Sequence, residues 1–215
     1  MHGVTMRTSI YIDGFNLYYG AVKGTPYKWL DFKAAFGLLL QPHHQITAIN
    51  YFTAQVSGKR DPQQPIRQQT YWRALQATTP EFRLVRGSFL THTVKAPLAQ
   101  PNGGQRFAQV LKTEEKGSDV NLAVHLVNDA WLDAYDCAVI VSNDSDLAEA
   151  MKLVRQDHPE KRLGLVFPRR ETGGYPSREL SQHAHFVLRL GERVLAASQL
   201  PDLIPGTTIH KPATW

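Results

Sequence analysis

The sequence predicts an open α/β fold, a mainly parallel sheet covered by helices, and three observations lead there. Short apolar runs rich in β-branched residues alternate along the chain with longer amphipathic ones. Most of the longer runs begin at an aspartate or serine suited to cap a helix. With 42% of its 215 residues hydrophobic, the chain can bury one good core, and it shows no internal repeat.

In chain order, residues 9–12 form the first strand, and Asp31 caps a helix over residues 32–40. A strand over residues 46–54 is followed by Asp61-Pro62, a cap and first turn, opening a helix that reaches about Ala77. Residues 82–89 form the next strand. Residues 91–115 break the rhythm, because Pro97, Pro101 and the Asn102-Gly103-Gly104 turn lie between two β-like segments, so a projecting hairpin or flap is expected. Ser118 or Asp119 opens a helix reaching about Leu132, residues 138–142 and 163–167 are strands, and further helices start near Asp144 and Ser177. Residues 1–200 are thus expected to be one domain. Residues 201–215 carry three prolines and no helical period, and are expected to form an arm over the surface.

Composition removes several function classes. The charge, 24 basic against 19 acidic residues or +5, is compatible with a polyanionic partner. Cys137 is the sole cysteine and lies in an apolar run, which excludes a disulfide framework and fits a reduced, cytoplasmic setting. Residues 1–7 lead within a few positions into a core strand, leaving no room for a signal segment. No apolar stretch approaches the roughly 20 residues that cross a bilayer, so a soluble protein without a membrane partner is expected. There is no phosphate-binding glycine loop with a following Lys-Ser or Lys-Thr, and no dinucleotide fingerprint after the first strand. His43-His44 and His183-Ala184-His185 do not make a paired-histidine helix motif, and one cysteine cannot build a structural zinc site.

What remains is a set of carboxylates far apart in sequence: Asp13, Asp119, and the Asp144-Ser145-Asp146 pair. Asp13 follows Ile10-Tyr11-Ile12 and Asp144 follows the run 138–143, so both sit at the carboxyl edge of a parallel sheet, where ligands gather. Asp119 lies three, four and seven positions before Leu122, Ala123 and Leu126, which places it on the core-facing stripe of its helix, in the first turn. Asp129 and Asp133 fall about 15 and 21 Å further along that axis, too far to join. Capping explains an aspartate at a helix start one at a time. It does not explain Asp13, nor the convergence. Ionised carboxylates gathered near a core need a cation, and an oxygen-only set suits Mg²⁺ or Mn²⁺, ions that drive phosphodiester hydrolysis.

The segments Tyr11-Ile12-Asp13-Gly14-Phe15-Asn16-Leu17-Tyr18, Lys116-Gly117-Ser118-Asp119-Val120 and Ser142-Asn143-Asp144-Ser145-Asp146 together resemble the NYN domain of the PIN-like nuclease superfamily, DUF88/LabA-like branch. The likeness covers roughly residues 7–190. It implies a PIN-like Rossmannoid three-layer α/β/α fold with a projecting hairpin and a Mg²⁺- or Mn²⁺-dependent ribonuclease site. It also implies metal ligands at Asp13, Asp119, Asp144 and Asp146, with Asn16 bracing the first, and products with 5′ phosphate and 3′ hydroxyl ends. Two departures stand out: His125 occupies a position that is commonly acidic, and Asn143 and Leu147 replace a glycine and an aromatic.

Lys116 is a candidate phosphate clamp, and Ser142 either holds a ligand or caps the helix after it. For RNA, single-stranded or structured, the candidate phosphate contacts are Lys112, Lys116 and the Arg169-Arg170 pair, then Lys59, Arg60, Arg67, Arg73, Arg83, Arg86, Lys95 and Arg106. Tyr18, Tyr19, Tyr27 and Trp29 are candidate stacking platforms, whereas Tyr71-Trp72 reads as packing. Two rivals are kept: a catalytically silent RNA-binding or assembly module, and a small-molecule enzyme recognisable by an apolar pocket. The oligomeric state is open, a homodimer included.

Overall fold

The computed structural model describes residues 5–59, 61–102, 104–169 and 174–215. Arg60, Gly103 and Arg170, named above, lie outside them. Strands β1 (Met6–Asp13), β2 (His44–Thr53), β3 (Phe82–Arg86), β6 (Cys137–Val141), β7 (Arg162–Phe167) and β8 (Phe186–Arg189) make one six-stranded sheet in the order β3-β2-β1-β6-β7-β8. Every neighbouring pair is parallel. The strand order runs outward in both directions from β1 and β6, so the crevice between their carboxyl ends is the topological switch point.

Alternation along the strands divides the core into two layers. On one face Ile10, Ile12, Ile49 and Val139 pack with Phe32 and Phe36 of α2 (Phe32–Leu39), Leu75 of α3 (Gln63–Thr78) and Leu195 of α7 (Glu192–Ala197). On the other, Tyr11, Phe52 and Ile140 pack with Leu122 and Leu126 of α4 (Ser118–Trp131), Met151 of α5 (Ala148–Asp157) and Leu180 of α6 (Arg178–Ser181). This is the expected three-layer α/β/α arrangement. Leu200, Ile204 and Ile209 are buried in the first layer, and Trp215 packs edge-on against Trp29.

Asp31 caps α2 through Ala34 N–H, and Ser177 caps α6 through Leu180 N–H, as the sequence suggests. Other boundaries move for identifiable reasons. The strand expected over 82–89 stops at Arg86, because β2 ends at Thr53 and offers no further partner; after Gly87 the chain turns into the ribbon β4 (Ser88–Asn102) and β5 (Gln105–Lys116). This antiparallel ribbon is the expected hairpin, longer than predicted, and it tolerates Pro97 because a two-stranded sheet has only edges. The four-residue β8 and the short α7 are not predicted: β8 pairs with β7 alone, and its run is too short to carry a period. None of the described helices is long and apolar enough to cross a membrane.

The aspartates set aside for distance have structural work. Tyr11, fully buried, donates its hydroxyl to Asp129 Oδ2 at 2.6 Å, while Arg7 and Lys161 pair with Asp133. Tyr11→Phe leaves that carboxylate without its donor and is expected to cost about 1.5 kcal/mol, read as a lower urea midpoint at unchanged slope. An unchanged midpoint would show that water replaces the phenol without loss.

Candidate metal centre

Asp13 ends β1 and caps α1 (Gly14–Leu17), so the rigid centre of the sheet fixes its carboxylate. Its Oδ1 accepts from the N–H groups of Phe15 and Asn16 at 3.1 and 2.9 Å; its Oδ2 accepts from Asn16 Nδ2 at 2.7 Å and Ser142 Oγ at 2.9 Å. The helix starts this tightly because residue 14 is glycine: a Cβ there would lie 2.8 Å from Phe52 O and 2.9 Å from Thr53 Cβ. Asn16 also reaches across the switch point, its Oδ1 accepting from Asn143 N–H at 3.2 Å, while Asn143 Oδ1 accepts from Ser177 N–H at 2.6 Å. One hydrogen-bonded chain thus ties the ends of β1 and β6 to the start of α6.

Asp144 follows β6 and caps a short 3₁₀ turn (Ser145–Leu147), its own N–H donating to Ser142 Oγ at 3.1 Å. Asp119 enters from α4, whose first turn is set by Gly117 at φ 95°, a left-handed conformation suited to glycine. One carboxylate oxygen from each of Asp13, Asp119 and Asp144 lies within 4.8 Å of the others. Contrary to the expectation from sequence, capping accounts for Asp13, because α1 starts directly at the end of β1, as it does for Asp144. It does not account for Asp119, to which no donor among the described residues gives a hydrogen bond.

Electrostatics follow from this crowding. Burial pushes the Asp13 carboxyl above its usual range, opposed by the hydrogen bonds from Asn16 and Ser142. The Asp119 carboxyl is pushed up to about 6, by burial first and then by the charges of Asp13 and Asp144. No lysine or arginine among the described residues pairs with any of the three. The donor set is oxygen only and under-compensated, which fits a hard divalent cation and no soft one.

The other sequence-nominated residues are distributed around this point. Asp146 is exposed on the 3₁₀ turn and stands outside the group of three; its N–H donates to Asp144 Oδ1 at 3.1 Å, and its charge adds to the pressure on Asp119. His125 lays its ring against Phe52, centroids 5.5 Å apart, and stands outside the group of three carboxylates. Lys112 and Lys116, on one face of β5, share Glu114, whose carboxyl they hold down at about 2. Arg169 lies beside Asn16, Asn143 and Tyr19 in a depression of about 260 Å³ next to the cluster. Tyr19 is exposed there, with Lys23 over its ring. Trp29 is fully buried and therefore serves the core and not stacking; Tyr27 bonds Glu192 through its hydroxyl. Of the remaining described basic candidates, Lys59 lies in the loop before α3, Arg67 and Arg73 on α3, Arg83 and Arg86 on β3, and Lys95 and Arg106 on the ribbon. Burial lifts the Cys137 thiol to about 12, so it is inert.

Sequence reasoning missed Glu115 and understated Asn143. Glu115 Oε1 accepts from Ser118 N–H and Oγ at 3.1 and 2.7 Å, and its charge bears on Asp119. An acid immediately before a lysine and a glycine helix start was the available signal.

Comparison with known proteins adds three findings. A family model described as NYN domain matches residues 7–187. A relative, 6-hydroxy-3-succinoylpyridine 3-monooxygenase HspA of Pseudomonas putida, is 37% identical over 98% of this chain and 75% of its own length. A crystal structure of a protein of unknown function from Vibrio parahaemolyticus superposes with a TM-score of 0.57 at 16% identity, covering 93% of this chain and 99% of the other, a likeness of fold.

Proposed function

The chain belongs to the NYN domain family, and from that premise we propose that it is a divalent-metal-dependent ribonuclease acting at Asp13, Asp119 and Asp144. The observation that carries this reading is the meeting of those carboxylates within 4.8 Å from three separate elements, at the sheet's switch point, with no paired cation among the described residues. Asp13, Asp119 and Asp144 would hold Mg²⁺ or Mn²⁺, with Asp146 at the rim, and the ion would supply activation of water and charge compensation at the phosphoryl oxygens. Asn16 and Ser142 keep the Asp13 carboxylate in one orientation by bonding the same oxygen. The adjoining depression offers Arg169 for a phosphate and Tyr19 for a base, while Lys112 and Lys116 extend positive charge along the ribbon. Flexible single strands or loops suit so open a groove.

The test is cleavage of end-labelled single-stranded RNA with Mn²⁺ or Mg²⁺ against EDTA. Metal-dependent cutting that leaves 5′ phosphate and 3′ hydroxyl ends is the expected result; RNA bound but uncut under all conditions supports the silent module instead. A second reading comes from the 37% identity to the Pseudomonas relative, whose name assigns it oxygenation of a substituted pyridine. Incubation with 6-hydroxy-3-succinoylpyridine, oxygen and a reduced electron donor decides it: a hydroxylated product favours that reading, and unchanged substrate removes it.

A further inference from the structure

Between α1, the π-helical turn Tyr18–Val22, α3 and residues 214–215 is a second cavity of about 160 Å³. Engineered apolar cavities of about 150 Å³ admit benzene, so this one has room for an aromatic ring. Its walls include Tyr18, Tyr51, Tyr71, Trp72 and Trp215. Walls of this kind stack or meet a ring edge-on.

Two features distinguish the cavity from a packing gap. First, Lys28 and Arg67 both line it, and only Arg67 has an acidic partner, Asp61. Lys28 stands over the Trp215 ring, 6.0 Å from its centroid, and pairs with no carboxylate among the described residues. One positive charge is therefore in surplus. Burial, then the neighbouring Arg67 charge, pulls the Lys28 ammonium below its usual range, which is the response of a cation lacking a counter-ion. Second, the indole N–H groups of Trp72 and Trp215 are buried without a hydrogen-bond acceptor, whereas the Tyr71 hydroxyl donates to Leu30 O at 2.7 Å and the Gln68 amide bonds Val56 N–H and Ala54 O. Buried donors without acceptors are uncommon and costly in folded proteins. The Lys28 ammonium calls for negative charge, and the indole N–H groups call for an acceptor of any kind.

We propose that this cavity binds a small aromatic monocarboxylate, its ring among the aromatic walls and its carboxylate at Lys28 and Arg67. The inference is independent of the nuclease reading, and it deepens the second one, since 6-hydroxy-3-succinoylpyridine is itself an aromatic ring bearing one carboxylate; binding without turnover separates the two.

The experiment is calorimetric titration of the whole chain, in EDTA, with benzoate and phenylacetate, with benzamide as the neutral counterpart and uridine 5′-monophosphate as the nucleotide arm. The acids are expected to bind saturably at one site, and benzamide about tenfold more weakly, since a charge-assisted contact is worth at least that ratio. Lys28→Gln, checked for an unchanged melting temperature, is expected to weaken the acids about tenfold and to leave benzamide unchanged. Acids that do not bind at millimolar concentration, or bind no better than benzamide, overturn the proposal. So does a nucleotide that binds more tightly than both acids. The wild-type comparison of acid with amide decides the matter even if Lys28→Gln proves unstable, and EDTA keeps the outcome separate from any nuclease result.

Discussion

Asp13→Asn is expected to lower Mn²⁺-supported RNA cleavage by roughly 10³-fold, the size of effect seen when one preorganised charge-stabilising group is removed from a site. The reason lies in the four donors that converge on this carboxylate. They aim a negative charge at the switch point. An asparagine keeps the shape and caps α1 about as well as aspartate, so the helix start survives. It cannot accept from both Asn16 Nδ2 and Ser142 Oγ at the position where its own NH₂ would stand, and it brings no charge to a cation. Stability is the control. In the metal-free protein the Asp13 charge is disfavoured by burial, so the variant is expected to melt at the same temperature as wild type or slightly higher. Activity lost with stability kept supports a catalytic carboxylate. A melting temperature that falls together with activity identifies Asp13 as a structural cap instead, and the nuclease reading fails with it.

Much of this centre was legible before any coordinates. Asp13 directly follows a run of consecutive apolar residues and Asp144 comes three residues after another, the mark of strands buried on both faces, and such strands end at a common edge. Asp119 was placed by helical period alone, and Leu122 and Leu126 do lie on the buried stripe it heads. Illegible were features that depend on contacts between remote residues. Glu115 is not one of these, since it stands only four residues before Asp119 in sequence; Trp29 is, because sequence cannot tell a buried aromatic from an exposed one. The cavity walled by Tyr51, Tyr71 and Trp215 draws on three distant segments, each of which reads simply as core. Short elements fared worst. A four-residue strand such as β8 is specified by its neighbour and not by its own pattern.

Mn²⁺ is expected to stabilise the protein far more at pH 7.5 than at pH 5. Burial and the neighbouring carboxylates raise the folded-state Asp119 carboxyl to about 6, above the unfolded value of about 3.9. A carboxyl raised by folding contributes stability that is fully present below its unfolded value and is lost as pH rises through its folded one. In the metal-free protein, Asp119 therefore opposes folding above about pH 6. Because the group is partly exposed, solvent screening limits this to the order of 1 kcal/mol. Asp13 acts in the same direction. A cation must displace these protons, so its affinity is expected to rise about tenfold per pH unit for each proton released below about 6, and to level off above. At 100 times its dissociation constant, Mn²⁺ adds about 2.7 kcal/mol, or roughly 5–10 °C for a chain of this size. Other groups, such as the ion-paired Asp61, Asp133 and Asp136, lose stability on acidification and would obscure a single melt. The increment between paired melts with and without MnCl₂ isolates the site. A large increment at pH 7.5, a small one at pH 5 and none in Asp119→Asn is the expected pattern; equal increments at both pH values would show that the ion binds elsewhere.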